Sequence, residues 1–371
     1  MLRKFLATTL SLFFISIVSF AQEASVGTST STPVTGEETK EPKEETKPAL
    51  LITGSADVFY KYDFSKQVSN SFTSFTKTQN AFSLGMASVK FEHTGSKIGM
   101  VADLGFGTRA AEFSYNDQGI MSAVKQLYIS YTPVENLKFT AGTWGTHVGF
   151  ELLDPQLNRN YSMSYMFSSG PFSHTGLKAE YSSGKHGFML GISNPTDMRL
   201  VPEGQIKTKY AIAQYSYAAS EKVKFYLNYV GGKSPDTALV NQFDLVANFT
   251  LSEKFSIGVN GTLNGSKAWD GTTKKNLGTE NWWGAAGYFN YDPVASFGLT
   301  LRSEYFNDEE ARLGYGTSIF ANTVSANFKV GAFKIIPEVR FESAGAAIYT
   351  DSKSGSSKNS TSFLVAAVYS F

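Results

Sequence analysis

From residue 50 to the carboxyl end, the chain alternates apolar and polar side chains in segments of about ten residues. A period of two marks a strand whose faces meet different environments. In FKIIPEVRF, Phe333, Ile335, Pro337, Val339 and Phe341 share one face, and Lys334, Glu338 and Arg340 the other, with Ile336 the exception. In FGLTLRSEYF, Leu299, Leu301 and Tyr305 alternate with Thr300, Arg302 and Glu304, and in ASVKFEH, Val89 and Phe91 alternate with Lys90 and Glu92. VKQLYISYTP is less regular: Leu127, Ile129 and Tyr131 alternate with Gln126, Tyr128 and Ser130, but Lys125 shares the apolar parity and is expected at the strand edge.

About sixteen such segments follow one another, starting near Leu50, Ala81, Ile98, Val124, Leu137, Ser173, His186, Tyr210, Val223, Gln242, Phe255, Trp282, Phe297, Ile319, Phe333 and Ser362. The connections alternate too. Short turns are expected at Thr94–Lys97, Pro133–Asn136, Ser182–Lys185, Ala218–Glu221, Ser252–Lys254, Asp292–Ser296 and Val330–Ala332. Long ones are expected at Asp63–Asn80, Ala110–Ala123, Trp144–Phe172, Pro195–Lys209, Gly231–Asn241, Gly265–Asn281, Asn307–Ser318 and Ala344–Thr361. A soluble sandwich has no reason to lengthen every second loop, whereas an outer-membrane barrel has short periplasmic turns and long external loops. The expected fold is therefore all-β: a transmembrane antiparallel β-barrel of about sixteen strands over residues 50–371.

The first 49 residues read differently. Arg3 and Lys4 precede an uncharged apolar run from Phe5 to Phe20, and Ser19 and Ala21 are the small residues of a cleavage site. The run is too short to span a bilayer, so residues 1–21 are expected to be a cleaved signal peptide and the destination the outer membrane of a Gram-negative bacterium. Residues 22–49 carry Thr, Ser, Glu, Lys and Pro and almost nothing apolar, the composition of a disordered periplasmic linker.

Composition narrows the chemistry. The 33 Lys and Arg nearly balance 32 Asp and Glu, so no basic surface for nucleic acid is expected. The absence of cysteine removes disulfides, thiolate metal sites and a cysteine nucleophile. None of His93, His147, His174 and His186 has metal-ligand spacing with another, and no nucleophile–base motif is evident, so neither an enzyme, a metal nor a cofactor is expected. The 19 Tyr and 30 Phe suit a membrane barrel: Tyr60, Tyr62, Phe91, Tyr131, Tyr181, Tyr217, Tyr229, Tyr291, Tyr305 and Tyr369 lie near strand ends, where aromatic girdles meet lipid headgroups. Charged strand residues are expected to face the lumen, because Lys or Arg on the lipid side costs about 2–4 kcal/mol at mid-bilayer. A barrel of this width encloses water.

The third long connection is unusually apolar, with Val148, Phe150, Leu152, Leu153, Tyr161, Met163, Tyr165, Met166 and Phe167, and should pack into the barrel rather than sit in water. Asp154-Pro155, Asn160-Tyr161-Ser162 and the GPFSHTG run from Gly170 to Gly176 follow in order. This stretch resembles the signature region of the OmpL-like β-barrel porin family, and the likeness extends over about residues 50–371. The resemblance implies an outer-membrane porin, a water-filled channel for passive diffusion of small hydrophilic solutes narrowed by the in-folded third loop. By analogy with general porins, Glu151 and Asp154 would face basic wall groups drawn from Lys61, Lys90, Arg302 and Arg340, with Arg159 the loop's own cation. The same analogy suggests a homotrimer. A non-channel surface barrel, adhesin or structural protein, and a substrate-specific channel are the alternatives with the same architecture.

The last eight residues, LVAAVYSF, read as the closing strand. Phe363, Val365, Ala367, Tyr369 and Phe371 are expected to meet lipid, and Leu364, Ala366, Val368 and Ser370 the lumen, with the strand pairing near Leu51. The terminal Tyr369 and Phe371 resemble the signal that barrel-assembly machinery recognises.

Overall fold

The computed structural model describes residues 50–201, 208–234, 238–270 and 275–371; the expected signal peptide and linker lie outside them. Strands β1 (Leu50–Asp63), β2 (Ala81–Thr94), β3 (Ile98–Phe106), β4 (Val124–Val134) and β5 (Leu137–Gly145) form one consecutive run. It continues through β6 (Ser173–Ser183), β7 (His186–Ser193), β8 (Tyr210–Ser220), β9 (Val223–Lys233) and β10 (Leu239–Thr250). The rest are β11 (Phe255–Asp270), β12 (Lys275–Val294), β13 (Phe297–Asn307), β14 (Ser318–Val330) and β15 (Phe333–Ala344). A small hairpin, β16 (Tyr349–Thr350) and β17 (Ser356–Ser357), precedes the last strand, β18 (Asn359–Ser370). Each strand of the wall pairs antiparallel with its sequence neighbour, and β18 pairs with β1, so sixteen strands close into one barrel.

Closure saturates the backbone at the seam, as hydrocarbon requires. Ser55–Asp63 run against Ser370–Ser362, and Phe371 continues the ladder by exchanging two 2.9 Å backbone hydrogen bonds with Gly54. The chain end thus pairs three residues beyond Leu51. A Cβ on Gly54 would lie 2.6 Å from the Phe371 ring, so the glycine makes room for the terminal aromatic.

The two faces separate as the alternation predicts. On β13, Thr300, Arg302, Glu304 and Phe306 are buried within the barrel while Leu299, Leu301 and Tyr305 are exposed outside; on β18, Leu364, Ala366 and Val368 are buried and Tyr369 is exposed. Outward aromatics pair across neighbouring strands at both rims: Tyr60–Phe82 and Tyr229–Phe243 at 5.1 Å and Trp283–Tyr305 at 5.3 Å near the long loops. Near the short turns, Phe297–Phe328 pair at 5.0 Å and Phe225–Phe249 at 5.8 Å. These two rows are where girdle aromatics belong. The tight turn between β14 and β15 places Gly331 at φ +59°, a left-handed conformation that glycine adopts without strain.

Two expectations change. Lys125 does sit at the edge of its strand, second in β4, but it points into the lumen and is buried there, because the β3–β4 register shifts between Asp103 and Leu104 and the bulge turns it inward beside Gln126. The connections expected to be long after Gly231 and Gly265 are largely strand: β9 runs to Lys233 and β10 begins at Leu239, while β11 and β12 extend through Asp270 and from Lys275. Ile336 does face inward with its polar neighbours, and it joins Phe59, Leu364, Ala366 and Val368 in an apolar patch on the inner wall.

Removing Phe371 deletes both backbone bonds to Gly54. The expected result is a several-fold lower yield of folded barrel in cells, read by heat-modifiable migration, with unchanged conductance in those molecules that fold. An unchanged yield would contradict this role for the chain end.

Candidate functional site in the barrel lumen

The third long loop, residues 146–172, leaves β5 and returns to β6 at the same rim, yet its middle reaches the opposite, short-turn end of the lumen. The descending limb follows one wall. His147 Nε2 lies 3.2 Å from the Tyr229 carbonyl, and the Gly149 amide donates to Asp244 at 3.0 Å. Phe150 stacks on Tyr288 with ring centroids 4.0 Å apart, in space left open by Gly258, where a Cβ would stand 2.3 Å from the ring. At the lowest point, Leu152 and Asn158 bond reciprocally, and Lys334 donates to the carbonyls of Gln156 and Asn158 at 3.0 and 3.2 Å.

The returning limb is held by its backbone. Glu338 accepts from the Tyr161 amide at 2.9 Å and the Ser162 amide at 3.3 Å. Glu304 accepts from Tyr165 at 2.9 Å and Met166 at 2.8 Å, the first amides of a single helical turn, α2 (Tyr165–Ser169), whose N-cap is Ser164. Arg302 and Arg340 donate to the carbonyls of Ser162 and Met163, each at 2.7 Å. Two wall carboxylates and two wall guanidiniums thus bind successive peptide groups as ligands would, with charge-assisted bonds. Side chains supply the apolar grip. Tyr161 sits on the Phe59–Ile336–Leu364 patch and donates to Asp57, while Tyr165 and Met166 pack against Trp282, Tyr288, Phe306 and Ile319.

The candidate constriction residues are now placed. Glu151 pairs with Arg302 and accepts the Ser164 amide at 2.8 Å, so these two are brought into contact where the loop meets the wall. Asp154 turns to Lys125 at 2.5 Å rather than to any of the four basic groups expected. Arg159 grips Asp292 through both terminal nitrogens, at 2.9 and 2.8 Å, and Thr300 at 2.7 Å. Lys61 donates to Ser71 and to the Thr76 carbonyl, Lys90 pairs with Glu92 at 2.9 Å, and Arg340 pairs with Glu342 at 2.9 Å while lying over the Tyr165 ring.

Sequence reasoning missed Arg109, on the short helix α1 (Thr108–Phe113) of the second long loop. It is fully buried, lies between the rings of Phe75 and Tyr161 at 4.8 and 4.7 Å, and donates to the Leu153 and Tyr161 carbonyls. Nothing in a loop sequence marks such a residue. Phe75, Phe113, Met163 and Phe172 then join three loops in one cluster toward the long-loop rim. Asp197 of the fourth long loop latches onto it: its Oδ1 accepts from the Phe172 and Ser173 amides at 2.8 and 2.7 Å, and its Oδ2 from Tyr115 at 3.1 Å. Burial pushes the Asp197 carboxyl up to about 6, against the pull of those donors.

Two chambers flank the loop. One, of ≈ 810 Å³, lies between it and the walls from β9 to β15; the other, of ≈ 560 Å³, lies toward β2–β6. Gln156 and Leu157 line both, so the loop's lowest point stands between them.

A closed antiparallel barrel with lipid-facing apolar strands, a charged inner wall and a loop folded between two chambers defines an outer-membrane porin. The family described as "Putative beta-barrel porin-2, OmpL-like" matches residues 49–371, and the chain belongs to it. The fold is similar to the outer membrane channel DcaP of Acinetobacter baumannii, at 14% identity and TM-score 0.58, covering 89% of this chain and 99% of that one. It is also similar to OmpT, an outer membrane protein of Vibrio cholerae, at 12% identity and TM-score 0.56, covering 90% and 100%. A trimer form of OmpT gives 12% identity and TM-score 0.55, covering 87% and 99%. Among curated proteins, none matches the chain.

Glu304→Ala should orphan two buried amides, costing about 1–3 kcal/mol each. A lower melting temperature in detergent and faster proteolysis near Tyr165 are expected; unchanged values would show that the carboxylate does not hold the loop. The Asp197 latch has the opposite pH sense to an ordinary ion pair. Its carboxyl is raised from 3.8 in the free state to about 6, so its stabilisation is complete below the former and lost as pH rises through the latter. Hydrogen exchange at Phe172 and Ser173, corrected for intrinsic rates, should be slower at pH 5 than at pH 7, and Asp197→Asn should remove the difference. Faster exchange at pH 5 would contradict the assignment.

Proposed function

We propose that the chain forms a passive, non-enzymatic passage for small hydrophilic solutes across the outer membrane, with the third loop setting its aperture. The observation that carries this reading is the loop's position: it is anchored on facing walls and stands between two chambers of ≈ 810 and ≈ 560 Å³. Glu151 with Arg302 and Asp154 with Lys125 are contact ion pairs that fasten the loop to two parts of the wall and so support a fixed aperture. Export by the 1–21 signal peptide, recognition of Tyr369 and Phe371 by assembly machinery, and a homotrimer in the membrane complete the proposal.

A plugged surface barrel is the second reading. The Phe75–Phe113–Phe172 cluster, which ties three loops together near the external rim, favours it. Liposome swelling with sugars of graded size separates the two. The passage reading expects entry of small sugars with a sharp fall as size increases. No swelling with any sugar, from protein shown to be folded, supports the plugged barrel.

A further inference from the structure

The β5–β6 ladder carries polar side chains that the anchoring of the third loop does not use. Four of them form two successive rows on the inner wall: Lys138 is directly opposite Glu180, and Thr140 is directly opposite Lys178. Opposite residues on such a ladder stand about 5 Å apart, and successive inward residues of one strand about 7 Å. The four therefore frame a patch on the scale of a very small solute. All of them line the ≈ 560 Å³ chamber, as does Trp144. The patch lies toward the short-turn end, since Lys138 is the second residue of β5.

The bonding of this patch is incomplete in a particular way. Lys178 donates to Glu180 Oε1 at 3.1 Å, and its Nζ stands 5.2 Å from the centroid of the Trp144 ring. Glu180 Oε2 has no hydrogen-bond partner, and neither have Thr140 Oγ1 and Trp144 Nε1. These three residues are only 8%, 2% and 2% exposed, so bulk water does not serve them. Lys138 is half-buried and makes no ion pair or hydrogen bond among the described residues. A free carboxylate oxygen and a free ammonium group thus belong to directly opposite residues.

That juxtaposition selects by charge. A simple anion drawn to Lys138 meets the carboxylate of Glu180, and a simple cation drawn to Glu180 meets Lys138 and Lys178. A solute that carries both charges on neighbouring atoms avoids either repulsion. Its cation must bear N–H groups, because an ionised carboxylate only accepts. The next inward row is Gly142 opposite Gly176, so no side chain of the ladder separates the row of Lys178 from that of Trp144. A short apolar side chain of the solute fits over that bare strip.

We propose that this patch is a binding subsite for small zwitterionic amino acids, with the ammonium donating to Glu180 Oε2 and the carboxylate accepting from Lys138. Entry of such solutes rests on the passage reading; binding at the patch does not.

Binding is read on the whole folded barrel in detergent at neutral pH by saturation-transfer NMR. L-alanine is the probe, and propionate and ethylammonium, each keeping one of its charges, are the comparisons. L-alanine should bind, and each comparison should bind roughly tenfold more weakly. K138Q and E180Q should each weaken L-alanine binding by roughly tenfold in protein whose heat-modifiable migration is unchanged. E180Q should also strengthen propionate binding, because the repelling carboxylate is gone; a merely structural residue does not produce that change. L-alanine binding that is undetectable, no tighter than that of either comparison, or indifferent to K138Q overturns the proposal. If liposome swelling shows no entry of small sugars while L-alanine still binds through Lys138, the passage reading fails and the subsite stands.

Discussion

A strand in hydrocarbon has nowhere to leave an unpaired N–H or C=O, and every other feature of this molecule follows from meeting that constraint. Sixteen strands close on themselves, and the last residue completes the seam through Gly54. Once the wall is closed, its inner face surrounds a space that side chains alone do not fill. The third loop enters that space, and the constraint recurs in a second form. Its peptide groups, taken out of bulk water, need partners, and the charged wall residues, equally desolvated, need counter-groups. Glu304, Glu338, Arg302 and Arg340 answer both needs at once by binding loop amides and carbonyls.

This double satisfaction explains why the inner wall is not uniformly polar. Charged residues hold the loop backbone, while Phe59, Ile336 and Leu364, and on the neighbouring wall Trp282, Phe306 and Ile319, receive its Tyr161, Tyr165 and Met166. The apolar residues that break the strand alternation are concentrated where the loop lands. What remains open around the loop is two chambers rather than one.

Much of this was legible in the sequence. Alternation with a period of two reported which side of the wall most strand residues face, and the rhythm of short and long connections reported the closed barrel. The apolar content of residues 146–172 pointed to a buried loop, and the analogy with general porins set Glu151 against a group of wall cations that includes its partner Arg302. Other features were not readable, for physical reasons. A bulge changes the parity of a strand without changing its composition, so Lys125 read as sharing the apolar face and Asp154 lacked its partner. Peptide groups carry no sequence identity, so a wall glutamate that binds two amides looks like any lumenal glutamate. Arg109 acts through a fold of three loops that no local pattern encodes. The strand extensions at β9–β12 arise because a hairpin can continue beyond the membrane wherever its backbone pairs, whatever its hydrophobic pattern.

The central claim is that a loop fastened to both walls sets the aperture. Single-channel conductance of the barrel lacking residues 152–160, compared with the whole barrel in the same membrane and salt, tests it most directly. The account predicts a larger conductance for the shortened protein, because the segment standing between the two chambers is gone. A conductance equal to or below that of the whole barrel, from protein shown to be folded, would contradict it.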